Sequence, residues 1–216
     1  MQHADRCITR TAADAAGEED AWILHKLGNL YYDQDRLKEA KVMFEWALQV
    51  KEKAWGPEHT STLDTVNNLG VLYSNQGRLN KAEAMYERAL QGKEKAWGAE
   101  HISTLDIVHN LGVLYSDQGR LDKAEAMYKW ALQGKEKAWG LYHRLTLDTV
   151  NNLGVLYKNR GLLDKAEAIY ERALQGKEKA WGPEHTSTLD TVNNLGILYY
   201  DQGQFNKAEA IYKRAL

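Results

Sequence analysis

The chain has 216 residues, and its 28 Lys and Arg stand against 30 Asp and Glu, so the formal net charge is −2. It contains 2 prolines, well below the average usage of about 5%, which excludes collagen-like and proline-rich proteins. Hydrophobic residues make up 44% of the chain and argue against long disordered segments. The near-zero net charge gives no argument for a nucleic-acid-binding protein, which would favour a basic surface.

The start of the chain and its single cysteine indicate the expected compartment. Cys7 has no second cysteine with which to form an intramolecular disulfide. The sequence contains no run of about 18 apolar residues, the length typical of a membrane-spanning helix. Residues 1–17 are polar and Ala-rich, without the apolar centre of a secretory signal. We therefore expect a cytoplasmic protein whose residues 1–17 form a flexible leader.

The rest of the chain repeats with a period of 42 residues. The units are 18–59, 60–101, 102–143, 144–185 and a partial fifth unit, 186–216. The second and fourth units differ at 8 of their 42 positions. A dipeptide marks the period in every unit: Leu27-Gly28, Leu69-Gly70, Leu111-Gly112, Leu153-Gly154 and Leu195-Gly196.

Each unit is predicted to begin with an amphipathic helix. In the second unit, Leu63, Val66, Leu69 and Tyr73 recur at helical spacing. Gly77 follows them and is able to adopt the positive φ that commonly ends a helix. The pattern therefore predicts a helix followed by a tight turn.

A second helix is predicted after this turn. Asn80 is followed by Glu83 at the spacing of a capping box, which predicts that the helix starts at Asn80. The first unit has Lys38 and Lys41 at these positions, so we expect its second helix to start less sharply. The run 91–97 extends the helix before Gly98. The capping spacing recurs at Asp122/Glu125, Asp164/Glu167 and Asn206/Glu209.

This pattern resembles the tetratricopeptide repeat. The signature spacing of that family is occupied in the second unit by Leu69, Gly70, Tyr73, Ala82, Tyr86 and Ala89. The usual repeat has about 34 residues, and the longer unit here is similar to the kinesin-light-chain subtype. It is also similar to the repeat arrays of fungal receptor-like proteins that carry a nucleotide-binding domain upstream. The resemblance covers residues 18–216.

The resemblance implies an all-α fold, a right-handed α-solenoid of stacked antiparallel helix pairs, known as the TPR superhelix. In such arrays each repeat contacts its neighbours, and polar terminal repeats cap the ends. The fifth unit stops at Leu216 without the extension that the other four units carry. We therefore expect a fragment or a short gene product with an uncapped C-terminal end. If Leu216 is a true terminus, self-association through that end is expected.

The sequence gives little support for catalysis. One histidine position recurs with the period, at His59, His101, His143 and His185. Packed helices lie about 8–10 Å apart, whereas zinc ligands lie about 2.0–2.3 Å from the metal, so this column cannot form one metal site. We expect each of these histidines to pack or hydrogen-bond locally. The common phosphate, zinc-protease and nucleophile-elbow motifs are absent, and we expect a non-enzyme without metal or cofactor.

By resemblance, the first helices line a concave groove that binds a peptide. Asn side chains both donate and accept hydrogen bonds, which suits an extended peptide backbone, and Val or Ile offers an apolar floor. The alternative is that these positions are solvated helix surface and helix–helix contacts. The groove residues implied are His25, Asn29, Asn67, Val71, His109, Val113, Asn151, Val155, Lys158, Asn193 and Ile197.

Charged residues narrow the expected ligand. Asn29 alone matches the Lys- and Arg-rich clamp of chaperone-binding relatives, so a chaperone-tail receptor is not expected. Lys158 and Arg160 are the main basic additions near the groove. A recurring acid either stabilises the first turn of each helix through the helix dipole or forms a negative strip that favours a neutral to mildly basic ligand. The acid recurs with the 42-residue period at Asp64, Asp106, Asp148 and Asp190.

Two tryptophans lie on the opposite side, which is richer in Lys and Arg. Trp46 and Trp130 occupy a position that holds Arg88, Arg172 and Arg214 in the other units. They either anchor a partner, since Trp is enriched among interface hot spots, or lie on their neighbours. A further set is expected to pack the lengthened helix against the next unit: Trp55, Trp97, Trp139 and Trp181.

The functional hypothesis is a non-catalytic scaffold that presents its concave groove to an extended peptide or helix of a partner protein. It is either the sensing arm of a larger receptor-like protein or a kinesin-light-chain-like cargo adaptor. We expect neither a nucleic acid nor a membrane as partner. An upstream nucleotide-binding domain in the flanking coding sequence would support the receptor, and upstream heptads would support the adaptor.

Overall fold

The computed structural model describes residues 17–214. Residues 1–16 of the expected leader, with Cys7, lie outside the described residues, as does Leu216. The described residues form ten helices, and no strand occurs among them. They are α1 Glu18–Asp33, α2 Leu37–Trp55, α3 Thr60–Asn75, α4 Leu79–Trp97, α5 Ile102–Asp117, α6 Leu121–Trp139, α7 Arg144–Asn159, α8 Leu163–Trp181, α9 Thr186–Asp201 and α10 Phe205–Lys213.

The described helices divide into two compact units, residues 17–99 and residues 100–214. In the first unit, α1 packs on α2, α3 packs on α4, and α2 contacts α3. In the second, the pairs are α5 with α6, α7 with α8, and α9 with α10, and the second helix of each pair contacts the next pair. These stacked pairs confirm the predicted all-α fold.

The recurring histidine starts the first helix of a repeat. His59 is the N-cap of α3, where its Nδ1 accepts a hydrogen bond from the Ser61 amide at 3.2 Å. Its ring lies 5.2 Å, centre to centre, from that of Trp55. The same cap and ring contact recur at His143 and His185. The predicted local role of these histidines is confirmed.

The predicted start of the second helices is wrong. α4 begins at Leu79 rather than Asn80, and no side-chain cap is found at the start of any second helix in the described chain. The Arg78 amide, at the N-cap position of α4, instead donates to the Tyr73 carbonyl at 2.9 Å, a bond that closes the C-terminal end of α3. The first unit follows the same rule, and α2 begins at the equivalent Leu37.

The predicted turn conformation at Gly77 is confirmed, with φ 69°. In the first unit the same position holds Asp35, which adopts φ 57°. Asp tolerates this left-handed conformation better than most residues with a side chain. The turn is therefore preserved where the glycine is lost.

The two helices of a repeat approach closely because a glycine faces an aromatic ring. A Cβ added to Gly70 would lie 2.7 Å from Cδ1 of Tyr86. Ala82 and Ala89 on α4 are fully buried in the same contact. The signature residues of the sequence pattern are thus the residues that allow α3 and α4 to pack.

At a second contact, a large side chain on one helix packs against a small residue on the other helix. A Cβ on Gly92 would lie 2.4 Å from Cδ1 of Leu63. One period earlier, the pair is Ala21 and Val50, both buried in one cluster. In the first repeat the larger side chain lies on the second helix, whereas in the second repeat it lies on the first helix. Because both arrangements fill one space, the first repeat keeps its packing despite its sequence differences.

This exchange predicts strong coupling between positions 63 and 92. Gly92→Val is expected to destabilise the chain by about 1–3 kcal/mol through overpacking, and Leu63→Ala by about 2–5 kcal/mol through a cavity. The double variant reproduces the pair of the first repeat, so its loss is expected to fall at least about 1 kcal/mol short of the sum. Urea denaturation measures all three free energies of unfolding. Gln91→Val is the exposed control, and simple additivity would contradict the prediction.

Candidate functional site

A buried lysine accompanies each of the four long second helices. The residues are 1–3% exposed and follow the 42-residue period: Lys51, Lys93, Lys135 and Lys177. In the sequence they belong to the run that extends each second helix, and their burial was not predicted. The available signal was their spacing, since Lys93 lies four residues after the buried Ala89 on the same helix face.

The lysine ammonium groups contact the first helices. Lys93 Nζ lies 2.6 Å from Asp64 Oδ1, and Lys135 Nζ lies 3.1 Å from Asp106 Oδ1. Lys51 donates instead to the Ser61 carbonyl at 3.0 Å and to Thr65 Oγ1 at 2.9 Å. Burial of a charged amine is tolerated because these oxygens replace water.

The recurring aspartates therefore have a structural role, although not the predicted one. Asp64 lies beyond the first turn of α3, and that turn contains no acid in the described structure. Its carboxylate is the partner of the buried Lys93. The expectation of a negative strip is corrected at Asp64 and Asp106, since an ammonium group offsets each charge at close range.

Burial also changes the lysine pKa values. Burial lowers the pKa of Lys51 to about 8, with the Lys93 charge adding to the effect and the Asp64 charge opposing it. Burial likewise lowers the pKa of Lys177, while Asp148 and Asp190 oppose the shift. These two aspartates thus act electrostatically on a buried lysine as Asp64 does.

The predicted His and Asn column reaches from one first helix to the next. His25 Nδ1 lies 2.9 Å from Thr65 Oγ1, and His109 Nδ1 lies 3.1 Å from Thr149 Oγ1. In the same way, Thr191 Oγ1 donates to Asn151 Oδ1 at 3.4 Å. These side chains are half-buried, as is Asn67 on α3, whereas Asn193 on α9 is exposed. The column thus contributes to helix–helix contacts as well as to the surface.

Asn29 and Val71 of the predicted groove meet at a small pocket of about 140 Å³ between α1 and α3. Tyr32, Phe44 and Asn68 complete its lining. Asn68 Nδ2 donates to Asn29 Oδ1 at 2.9 Å, which orients both amides at the pocket. The structure therefore places an apolar side chain and two amide groups around one concave site in the first unit.

In the second unit, Val113, Val155 and Ile197 are half-buried on α5, α7 and α9. Lys158 Nζ lies 3.5 Å from Asp201 Oδ2, so its charge is already paired. Arg160 pairs with Asp122, at 2.7 Å, and with Glu125. The expectation that Arg160 adds basic charge to the groove is corrected, because α6 supplies both of these acids.

Trp46 packs in the first unit against the cluster of Ala21, Leu24, Ala47 and Val50. This confirms that Trp46 lies on its neighbours. At the equivalent position, Arg88 instead donates to Glu52 Oε1 at 2.5 Å and to the Pro57 carbonyl at 3.2 Å. Trp130 is half-buried on α6, and its role as a contact site stays a prediction.

Two features are absent from the described residues. No group of three His, Cys, Asp or Glu side chains in residues 17–214 could hold a metal ion. No helix in this part of the chain is long and apolar enough to cross a membrane.

Comparison with known proteins identifies the family. The tetratricopeptide repeat model matches residues 19–95, 61–137 and 145–216. The chain belongs to the tetratricopeptide repeat family, and its array is of the kinesin-light-chain-like type. No curated protein sequence gives a significant match.

Solved structures share the fold. BtubC (BKLC) of P. vanneervenii is 26% identical, with a TM-score of 0.80 over 96% of this chain and 84% of that one. A Podospora anserina protein with nearly identical TPR-like repeats, described as a kinesin light chain, is 22% identical, with a TM-score of 0.78 over 92% and 95%. A Rap protein complexed with Competence and Sporulation Factor is 15% identical, with a TM-score of 0.75 over 93% and 54%.

Family and fold together support a protein-interaction scaffold. The repeat is generally a non-catalytic fold whose stacked helices present extended binding surfaces. The class of partner is therefore a protein or peptide.

The half-buried histidines predict a pH dependence of stability. Burial lowers the pKa of His109 to about 4 from its ordinary value of 6.5. Between these values the unfolded chain binds a proton that the folded chain does not, so the free energy of unfolding falls as the pH falls through this range. His109→Asn introduces the residue found at this position in other repeats, such as Asn151. Between pH 7 and pH 4 the variant is expected to lose roughly 2–3 kcal/mol less stability than the unmodified chain.

Urea denaturation at a series of pH values measures this difference. Titration of the carboxylates is common to both proteins, so it cancels when their profiles are subtracted. His25→Asn is a second test, because burial also lowers the pKa of His25 to about 4. Parallel stability profiles for variant and unmodified chain would contradict the prediction.

Proposed function

We propose that the chain binds an extended segment of a partner protein along the first helices of its repeats. The pocket of about 140 Å³ between α1 and α3 carries the proposal. It has room for one apolar side chain, and the amides of Asn29 and Asn68 lie beside it. In such an arrangement the amide groups hydrogen-bond to the peptide backbone, and the apolar pocket holds one peptide side chain.

The electrostatics favour a ligand that is recognised by shape and hydrogen bonds. Asp64 and Asp106 are paired with buried lysines, and Lys158 is paired with Asp201. A strongly charged ligand would have to compete with these internal ion pairs. We therefore propose a neutral, extended segment whose binding depends weakly on salt, since exposed charge contacts are those that salt screens.

Two finer proposals concern the use of this surface, either in the sensing arm of a larger receptor-like protein or in a cargo adaptor. A Rap protein of similar fold is complexed with Competence and Sporulation Factor, which supports a protein or peptide ligand. The kinesin-light-chain type of the array supports a cargo adaptor as the alternative to the sensing arm of a receptor-like protein.

Val71→Arg tests the proposed groove. A random 12-residue peptide display library is selected on the chain, and the dissociation constants of the enriched peptides are measured by fluorescence anisotropy. The substitution places a long charged side chain at the pocket between α1 and α3, so we expect binding to weaken at least about tenfold.

The matched control is Val42→Arg on α2, which makes the same chemical change at an exposed valine outside the pocket lining. This control is expected to bind as the unmodified chain does, and circular dichroism checks that both variants fold. The proposal fails if Val71→Arg leaves the affinity of every enriched peptide unchanged, or if Val42→Arg weakens binding equally.

A further inference from the structure

The connector between α6 and α7 departs from the other connectors of the array. At three connectors the residue before the recurring histidine is an acid: Glu58, Glu100 and Glu184. At the fourth it is Tyr142, preceded by Leu141 where the others have Pro or Ala. Arg144 follows the histidine, in place of Thr or Ile. Because the repeats are otherwise nearly identical, this cluster of changes sets the connector between α6 and α7 apart from the other connectors.

The acid has a structural partner at two of the other connectors. Glu58 Oε2 lies 2.6 Å from Lys95 Nζ, and Glu100 Oε2 lies 2.5 Å from Lys137 Nζ. Lys179 is the equivalent lysine at the connector between α6 and α7, where its Nζ lies 4.4 Å from the centre of the Tyr142 ring. A cation–π contact has replaced the ion pair. The lysine keeps a neighbour, but no carboxylate at position 142 neutralises its charge.

The substituted side chains are both exposed and held in place. Leu141 is 49% exposed and Tyr142 is 44% exposed. Tyr142 Cδ1 lies 3.4 Å from where a Cβ on Gly176 would be, so the ring rests against α8. Beside it, the His143 ring stacks on Trp139 with centres 4.5 Å apart. A held aromatic ring loses little conformational entropy on binding.

Two cationic side chains lie beside these rings. The Arg144 side chain is 77% exposed and forms a long ion pair with Asp148, with Nε 3.8 Å from Oδ2. Arg172 is already paired with Glu136. Arg144 and Lys179 thus flank the exposed Leu141 and Tyr142. The other connectors form their scaffold contacts without either apolar residue.

We propose that Leu141, Tyr142, Arg144 and Lys179 form a second binding surface, here named the connector patch, for an acidic segment of another protein. The segment carries a carboxylate beside an aromatic or aliphatic side chain. The carboxylate pairs with Arg144 and Lys179, and the apolar side chain packs on Leu141 and Tyr142. Arg and Tyr are among the residues enriched at binding hot spots. The connector patch lies on a connector and is independent of the groove proposed above.

The repeats supply a variant for the test. Leu141→Pro, Tyr142→Glu and Arg144→Thr together restore the connector sequence found at residues 57–60 and 183–186. The restored connector is expected to fold, because the same sequence already starts α3 and α9, and circular dichroism checks this. A random 12-residue peptide display library is selected on the unmodified chain and depleted on the restored variant.

The peptides that survive depletion are expected to carry Asp or Glu beside an apolar residue. Their affinity for the restored variant is expected to be at least tenfold lower, with binding that weakens as salt is raised. Val71→Arg is expected to leave their affinity unchanged, which separates this result from any failure of the groove. Peptides without acids, or equal affinity for the two proteins, would overturn the proposal.

A gain-of-binding variant completes the test. Pro57→Leu, Glu58→Tyr and Thr60→Arg move the connector patch to the connector before α3, where Lys95 takes the place of Lys179. In the restored background this variant is expected to recover binding to within about threefold of the unmodified chain. If binding is not recovered although the variant folds, the four residues named do not suffice and the proposal fails in this form.

Discussion

The close approach of the two helices within each repeat is the constraint on which the rest of the structure depends. Gly70 accepts the Tyr86 ring at one point of contact, and Gly92 accepts Leu63 at another. These contacts fix how α3 and α4 pack, and therefore which residues of α3 remain at the surface. A side chain at either glycine would push the helices apart and move the groove residues with them. Ala21 and Val50 satisfy the same constraint with the sizes exchanged.

Charge in the array is organised around the buried lysines. Lys93 and Lys135 each draw an aspartate of the preceding first helix into an ion pair, so an acid that looks like a recognition element belongs to the scaffold. The surface left for binding is then defined by amides and aliphatic side chains. The proposed connector patch lies where a repeat departs from this scheme, since Tyr142 stands in place of the carboxylate that would pair with Lys179.

Much of the fold could be predicted from the sequence, and the site only in part. The helix pairs and the turn at Gly77 follow from local patterns, and both are observed. The helix start at Asn80 was mispredicted, because α4 begins one residue earlier, with Arg78 at the N-cap position and no side-chain cap. Asn29 and Val71 do line one pocket. The contact of His25 with Thr65 was not predicted, because it joins residues 40 positions apart.

By itself, the sequence determined the repeat period, the pairing of helices and the family, because each follows from the spacing of residues within one 42-residue unit. The tertiary structure alone decided which charges are paired and which side chains are half-buried. Asp64 and Lys93 are 29 positions apart, and they meet because α3 and α4 pack side by side. The charge of the groove is a property of that packing, since an ion pair depends on distance in space rather than on separation along the chain.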